Sequence, residues 1–141
     1  MDGYELFQLG RDLMKLGEQS MPGMGLERLS GPTRAILFDI AENPESSISD
    51  ITARVKLPQS QVSACVARLR DRGTVTTESD PLDRRRTLVR LSDDSRRRAA
   101  QRPPAPIDEA VAKALGADDP ARVERVKAAL DALAEALGSR E

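Results

Sequence analysis

Residues 49–92 read SDITARVKLPQSQVSACVARLRDRGTVTTESDPLDRRRTLVRLS, and this stretch decides the fold. At its start, SISDITARVK places Ile51 and Val55 four residues apart on one helical face, with Ser49 in position to cap. Leu57-Pro58-Gln59 then makes a turn, because the residue before a proline avoids the helical region. The run SQVSACVARLRDRG reads as a second helix capped by Ser60, with Val62, Cys65, Val66 and Leu69 facing inward. Gly73 suits the left-handed residue that closes such a helix. Two short helices joined by a tight turn, the second with a polar outer face, form a helix-turn-helix pattern.

Residues 74–92 extend that pattern. TVTTES (74–79) and RTLVRLS (86–92) are β-branched runs of alternating character, separated by DPLDRR, whose Asp80-Pro81 pair is a turn signal. The expected structure is a β-hairpin with an arginine-loaded tip, a wing attached directly to the second helix.

The outward face of that second helix presents Gln59, Ser60, Gln61, Ser63, Ala64 and Arg68. A helix of this kind lies in the major groove of DNA, where Gln pairs with adenine, Arg with guanine, and a small apolar group sits against a thymine methyl. Arg84, Arg85 and Arg86 at the hairpin tip repel one another, with Asp83 alone nearby to compensate. A narrow minor groove concentrates negative potential and accepts inserted arginine. Asp83 is expected to orient Arg85 through a charge-assisted hydrogen bond.

Residues 49–92 resemble the DNA-binding lobe of the MarR family of bacterial transcriptional regulators. The most specific match is the wing motif Asp-x-Arg, here Asp83 and Arg85, followed by a strand ending Arg90-Leu91-Ser92. Ser60-x-x-Ser63 at the start of the recognition helix and Arg72-Gly73 at its end add weaker support. The strand ends Leu-Ser where the family usually has Leu-Thr, a change that keeps the hydroxyl. The resemblance implies a homodimer built on interlocked N- and C-terminal helices, each subunit offering one winged lobe to a pseudo-palindromic operator. By the same motif, Ser60, Gln61 and Ser63 would enter the major groove, and Arg85, with Arg84 nearby, the minor groove. Many such proteins release DNA when a small phenolic or other aromatic ligand binds, so a small-molecule effector joins the partners that the resemblance implies.

The flanks are helical in pattern. Leu6, Leu9, Leu13 and Leu16 recur along YELFQLGRDLMKLGEQS (4–20), and MPGMG at 21–25 breaks that helix before Leu26 to Ser30 lead into the next. In GPTRAILFDIAEN, Ser30 or Gly31 caps, Pro32 occupies the first turn, and Ile36, Leu37, Ile40 and Ala41 supply the buried stripe, with Asn43-Pro44 as the stop. After Ser92, DDSRRRAAQR starts a helix with acids at its positive end. Pro103, Pro104 and Pro106 interrupt it, where the family usually runs one long helix. Arg96, Arg97 and Arg98 either touch phosphates or solvate that helix. IDEAVAKAL resumes up to Gly116. The last helix, capped by Asp118 or Asp119, carries Val123, Val126, Leu130, Leu133 and Leu137 as an apolar stripe. Two stripes of this length exceed what one small lobe can bury, which favours a dimer.

Composition narrows the function further. The 141-residue chain is 39% hydrophobic but only 2% aromatic, so its core must be aliphatic, which suits packed helices. Histidine is absent and Cys65 is the single cysteine, which removes the commonest general base, the commonest zinc ligand and any intrachain disulfide. Cys65 itself is expected to pack in the core rather than sense oxidants, since a buried thiol ionises poorly. No phosphate loop, metal cluster or nucleophile–base pair is present, so no catalytic residue, metal or cofactor is assigned and an enzyme is not expected. No apolar run approaches the ~20 residues of a membrane span, and the start of the chain lacks a leader pattern, so a cytoplasmic protein is expected. The net charge of −1 averages unlike parts: residues 1–50 hold nine acids and four bases, residues 68–102 eleven arginines and six acids. The basic middle favours a polyanionic partner.

The sequence therefore predicts a mainly α fold with a small β-hairpin wing. Residues 1–30 would form an N-terminal dimerisation helix and loop, 31–92 the winged helix-turn-helix lobe, and 93–141 the C-terminal dimerisation helices. The expected function is sequence-specific regulation of transcription, as a repressor, on double-stranded DNA. A winged-helix module that contacts an acidic protein surface is the competing reading. It should display apolar anchors on the probe helix, where none are found.

Overall fold

The computed structural model describes residues 1–21, 28–116 and 119–138; all but the first residue of the breaker expected at 21–25, the start of the lead-in after it, and the candidate cap Asp118 lie outside them. Among the described residues, seven helices and a small antiparallel sheet run in the order α1 (Gly3–Gln19), α2 (Gly31–Glu42), β1 (Ser46–Ser47), α3 (Ile48–Val55), α4 (Gln59–Asp71), β2 (Val75–Ser79), β3 (Thr87–Leu91), α5 (Asp93–Gln101), α6 (Asp108–Leu115) and α7 (Pro120–Gly138). The fold is that of a winged helix carrying additional helices. The chain divides into two units, one of 1–25 with 104–141, the other of 26–103.

The unit of 26–103 is built on an aliphatic core. Ile36, Ile40, Ile51, Val62, Cys65, Val66, Leu69, Val75 and Val89 are all buried together, with Leu37, Ile48, Val55, Leu57 and Leu91 packed against them. The four inward residues expected of α4 are all among them. Ala41, expected in the stripe of α2, is instead exposed. It follows Ile40 by one residue, about 100° around the helix, and so turns away from the core.

Local chemistry explains where the elements begin. Ser30 caps α2 by accepting the Thr33 N–H, and Pro32 stands in the first turn. Helix α3 starts two residues before the expected point. Its cap is Ser47, not Ser49, and Ser47 and Asp50 form a reciprocal capping box. The reason lies in β1, a strand that local patterning does not reveal. Ser46 and Ser47 pair with Val89 and Leu88 of β3, which holds Ser47 extended until the helix turns. Helix α4 likewise begins earlier than expected: Pro58 is the cap residue, without any side-chain cap bond, and Ser60 already lies inside the helix.

The wing is the β2–β3 hairpin, registered from Val75↔Leu91 to Ser79↔Thr87 in a sheet of order β1-β3-β2. Gly73, at φ +74°, makes the turn from α4 into β2. Ser92 caps α5 by accepting the Ser95 N–H, and the helix stops at Gln101, just before the prolines.

In the unit formed by the two ends of the chain, α6 packs on both α1 and α7. Asp2 and Glu5 form a capping box at the start of α1. Lys127 of α7 donates to Asp108 of α6 at 2.9 Å and to Glu124 at 3.1 Å. Ala110, Val111 and Val123 are buried, yet Leu6, Phe7, Leu9, Leu133 and Leu137 remain exposed. Among the described residues, no helix is long and apolar enough to cross a membrane.

Candidate nucleic-acid interface

Burial of Val62, Cys65, Val66 and Leu69 fixes the rotation of α4 and so decides which residues look outward. Gln59, Ser60, Gln61, Ala64 and Arg68 are exposed, and Ser63 is half-buried at the edge of the face. Their polar side chains have no hydrogen-bond partner among the described residues and are available to a ligand. The cap at Pro58 leaves the first amides of α4 without a side-chain acceptor, so its positive end is open. Cys65 is a free thiol only 2% exposed, part of the core as expected.

Beyond Ser79 the wing loop is closed by four hydrogen bonds. The Asp80 N–H donates to the Arg86 carbonyl and the Arg86 N–H to the Asp83 carbonyl, each at 2.9 Å. The Leu82 N–H donates to Asp80 Oδ1 at 2.9 Å, and the Arg85 N–H to Asp83 Oδ1 at 3.1 Å. Asp80 is itself buried. Both carboxylates thus form Asx turns that set the course of the loop. Asp83 does meet Arg85, but through the backbone amide and not the guanidinium, so it shapes the loop and leaves the side chain free to reach outward.

The three loop arginines are not equivalent. Arg84 and Arg85 are exposed and make no ion pair among the described residues. Arg86 leaves the tip: its Nη2 lies 3.1 Å from Asp50 Oδ2, on the first turn of α3. Asp50 is held below the usual carboxylate range, chiefly by the backbone and side-chain hydrogen bonds of Ser47 and further by Arg86 and Arg54. The run at Arg96, Arg97 and Arg98 is paired with two acids of its own helix. Arg96 bonds Asp93 at 2.8 Å, and Arg98 and Arg97 reach Asp94 at 2.9 and 3.9 Å.

Two features escaped the sequence reading. Leu82, at the wing tip beside Arg84 and Arg85, is 96% exposed, and local patterning treats it as one residue of a turn. Arg54 grips Asp39 with both arms of its guanidinium, at 2.8 and 2.9 Å, and also donates to Ser46 Oγ at 2.6 Å. This fork ties α2, α3 and β1 together. Its partners lie up to 15 residues apart, beyond any helical spacing. Charge follows the same division as the fold. The unit of 26–103 has 15 basic and 11 acidic residues, net +4, while the rest has 7 and 12, net −5.

A polar helix face beside a cationic hairpin defines a class, and the family comparison gives the same one: residues 29–94 match the winged helix DNA-binding domain. This part of the chain is thus similar to that domain family. The fold is similar to that of several solved structures. RV1404 from Mycobacterium tuberculosis is 19% identical, with a TM-score of 0.65 over 100% of this chain and 98% of that one. A MarR-like transcriptional regulator from Thermotoga maritima is 22% identical, with a TM-score of 0.61 over 100% and 99%. BpsR of Bordetella bronchiseptica, whose DNA binding is regulated by 6-hydroxynicotinic acid, is 22% identical, with a TM-score of 0.56 over 100% and 95%. No curated protein matches in sequence.

Proposed function

We propose that the protein is a transcriptional regulator of MarR type that grips both grooves of double-stranded DNA, expected to act as a repressor. Gln59, Ser60, Gln61, Ser63, Ala64 and Arg68 address base edges and phosphates in the major groove. Arg84 and Arg85 enter the adjacent minor groove. The observation that carries this reading is the contrast within the wing: an internally bonded loop holds two arginines out in solvent, without an ion pair among the described residues, where a polyanion can neutralise them. Arg86, read from the sequence as a third minor-groove contact, is bonded to Asp50 instead and has a different part in the proposal.

The protein acts as a homodimer. Support comes from the apolar side chains that α1 and α7 leave in solvent, among them Phe7 at 64% and Leu137 at 57% exposure. Two wings and two probe helices then meet a pseudo-palindromic operator. A small-molecule effector belongs to the proposal on the strength of relatives in fold such as BpsR.

Selection of bound duplexes from a random DNA pool by the purified protein tests this reading. A two-fold symmetric site is expected, with half-site centres about one helical turn apart. Its affinity should fall steeply with salt as phosphate counterions are released. Failure to enrich any sequence would sink the proposal.

A further inference from the structure

Among the described residues, the wing tip has one side-chain tether to the helices. Beyond the last ladder pair, Ser79↔Thr87, the loop of residues 80–86 is bonded internally, and among the described residues Arg86 alone sends a side chain to a helix. Its backbone closes both turns of the loop, donating to the Asp83 carbonyl and accepting from the Asp80 N–H. Its guanidinium then crosses to α3, 36 residues earlier in the sequence, and meets Asp50 Oδ2. That same oxygen accepts the Ser47 N–H at 3.1 Å, while the Ser47 hydroxyl accepts the Asp50 N–H. The carboxylate is therefore held in place by the capping box before the arginine reaches it. Helix α3 packs directly on α4. A continuous chain of contacts runs from the wing tip through Arg86, Asp50 and α3 to the probe helix.

We propose that Asp50 is a specificity-determining positioning residue. By holding Arg86 it sets the wing tip relative to the probe helix, and it withholds one cation from the DNA backbone. The inference rests on the DNA-binding function proposed for this chain and deepens it. Phosphate contacts fix a protein on the duplex but carry no sequence information, so a surplus free arginine raises affinity for every sequence alike. A tip already placed before binding loses less freedom on the operator, where both grooves must be met together. Removing the clamp does both kinds of harm at once. The tip becomes loose on the correct site and Arg86 becomes free on all others. The pair is half-exposed on each side, at 47% and 45% of side-chain area, so it adds little to folding itself.

The test compares the wild type with D50N and R86Q on the selected operator and on random-sequence duplex, across a salt series, with thermal midpoints recorded for each. D50N is expected to lower the operator-to-random affinity ratio at least tenfold. It should also bind random duplex more tightly, with a log–log salt slope steeper by about 0.9, one phosphate contact. R86Q keeps the capping box intact and guards against a folding artefact. It should lose a similar share of the ratio without the steeper slope. Midpoints should stay within a few degrees of wild type. Unchanged ratios in both variants, with a discriminating wild type, would overturn the clamp and leave the DNA-binding function standing. So would an R86Q that weakens both duplexes equally while D50N changes nothing, because Arg86 would then be an ordinary phosphate contact. A wild type that never discriminates between duplexes overturns both.

Discussion

Arg84, Arg85 and Arg86 are chemically identical and adjacent, yet they have different surroundings. A sequence shows the triplet as three equals, since nothing local marks Arg86 as the one that reaches a carboxylate 36 positions away. The outward face of α4 was legible because its opposite face is apolar at helical spacing; the clamp was not, because it depends on how the hairpin folds over α3. Replacing Arg85 with Ala should weaken operator binding at least tenfold, in line with the ~1–3 kcal/mol of a good specific contact, as read by fluorescence anisotropy. Unchanged affinity would remove Arg85 from the minor groove. Asp50 makes a prediction for acid as well. Its carboxyl is held low first by Ser47 and then by Arg86 and Arg54. A lowered folded-state value means its contribution is complete above the unfolded pKa of about 3.9 and fades as pH falls through the folded one. Thermal midpoints of wild type and D50N should accordingly converge below that pH and separate above it. A gap that stays constant from pH 3 to pH 6 would contradict the assignment.

Elements were legible to the degree that their signals were local. Apolar spacing in α2, α3 and α4, the Asp80-Pro81 turn and the three prolines after α5 all act within a few residues, and the elements fall in the expected regions, with α3 and α4 starting earlier and Ala41 turned outward. Strand β1 was hidden because two serines have no strand signature; pairing with β3 makes them a strand. That pairing in turn moved the cap of α3 from Ser49 to Ser47. Two substitutions probe this level. Ile51 is fully buried where α3 meets the core, so I51A should destabilise the winged helix by roughly 2–5 kcal/mol in chemical denaturation. Gly73 sits at φ +74° with open space around its α-carbon, so G73A meets no clash and carries only the left-handed backbone cost of about 1–2 kcal/mol. A larger loss for G73A than for I51A would mean that packing around the turn has been misjudged.

At the scale of the whole molecule, a near-neutral chain conceals a division of labour. A net of +4 lies on the winged helix and −5 on the unit made from the two ends. The first suits a polyanion, and the second carries the exposed apolar stripes proposed to join two copies. Exchanging Leu133 and Leu137 for Asp should shift the protein from dimer to monomer in sedimentation, preserve its helix content, and weaken operator binding more than tenfold. A double variant that stays dimeric would move the interface elsewhere. Whether probe helix and wing hold two grooves at once is decided by footprinting the selected operator with two probes. Dimethyl sulfate reads guanine N7 in the major groove, and hydroxyl radical reads sugars along the minor groove. The expected pattern is N7 protection in each half-site with a protected minor-groove stretch beside it, the latter vanishing in R85A while the former remains. Minor-groove cleavage that is the same with wild type, with R85A and with no protein would contradict a grip on both grooves.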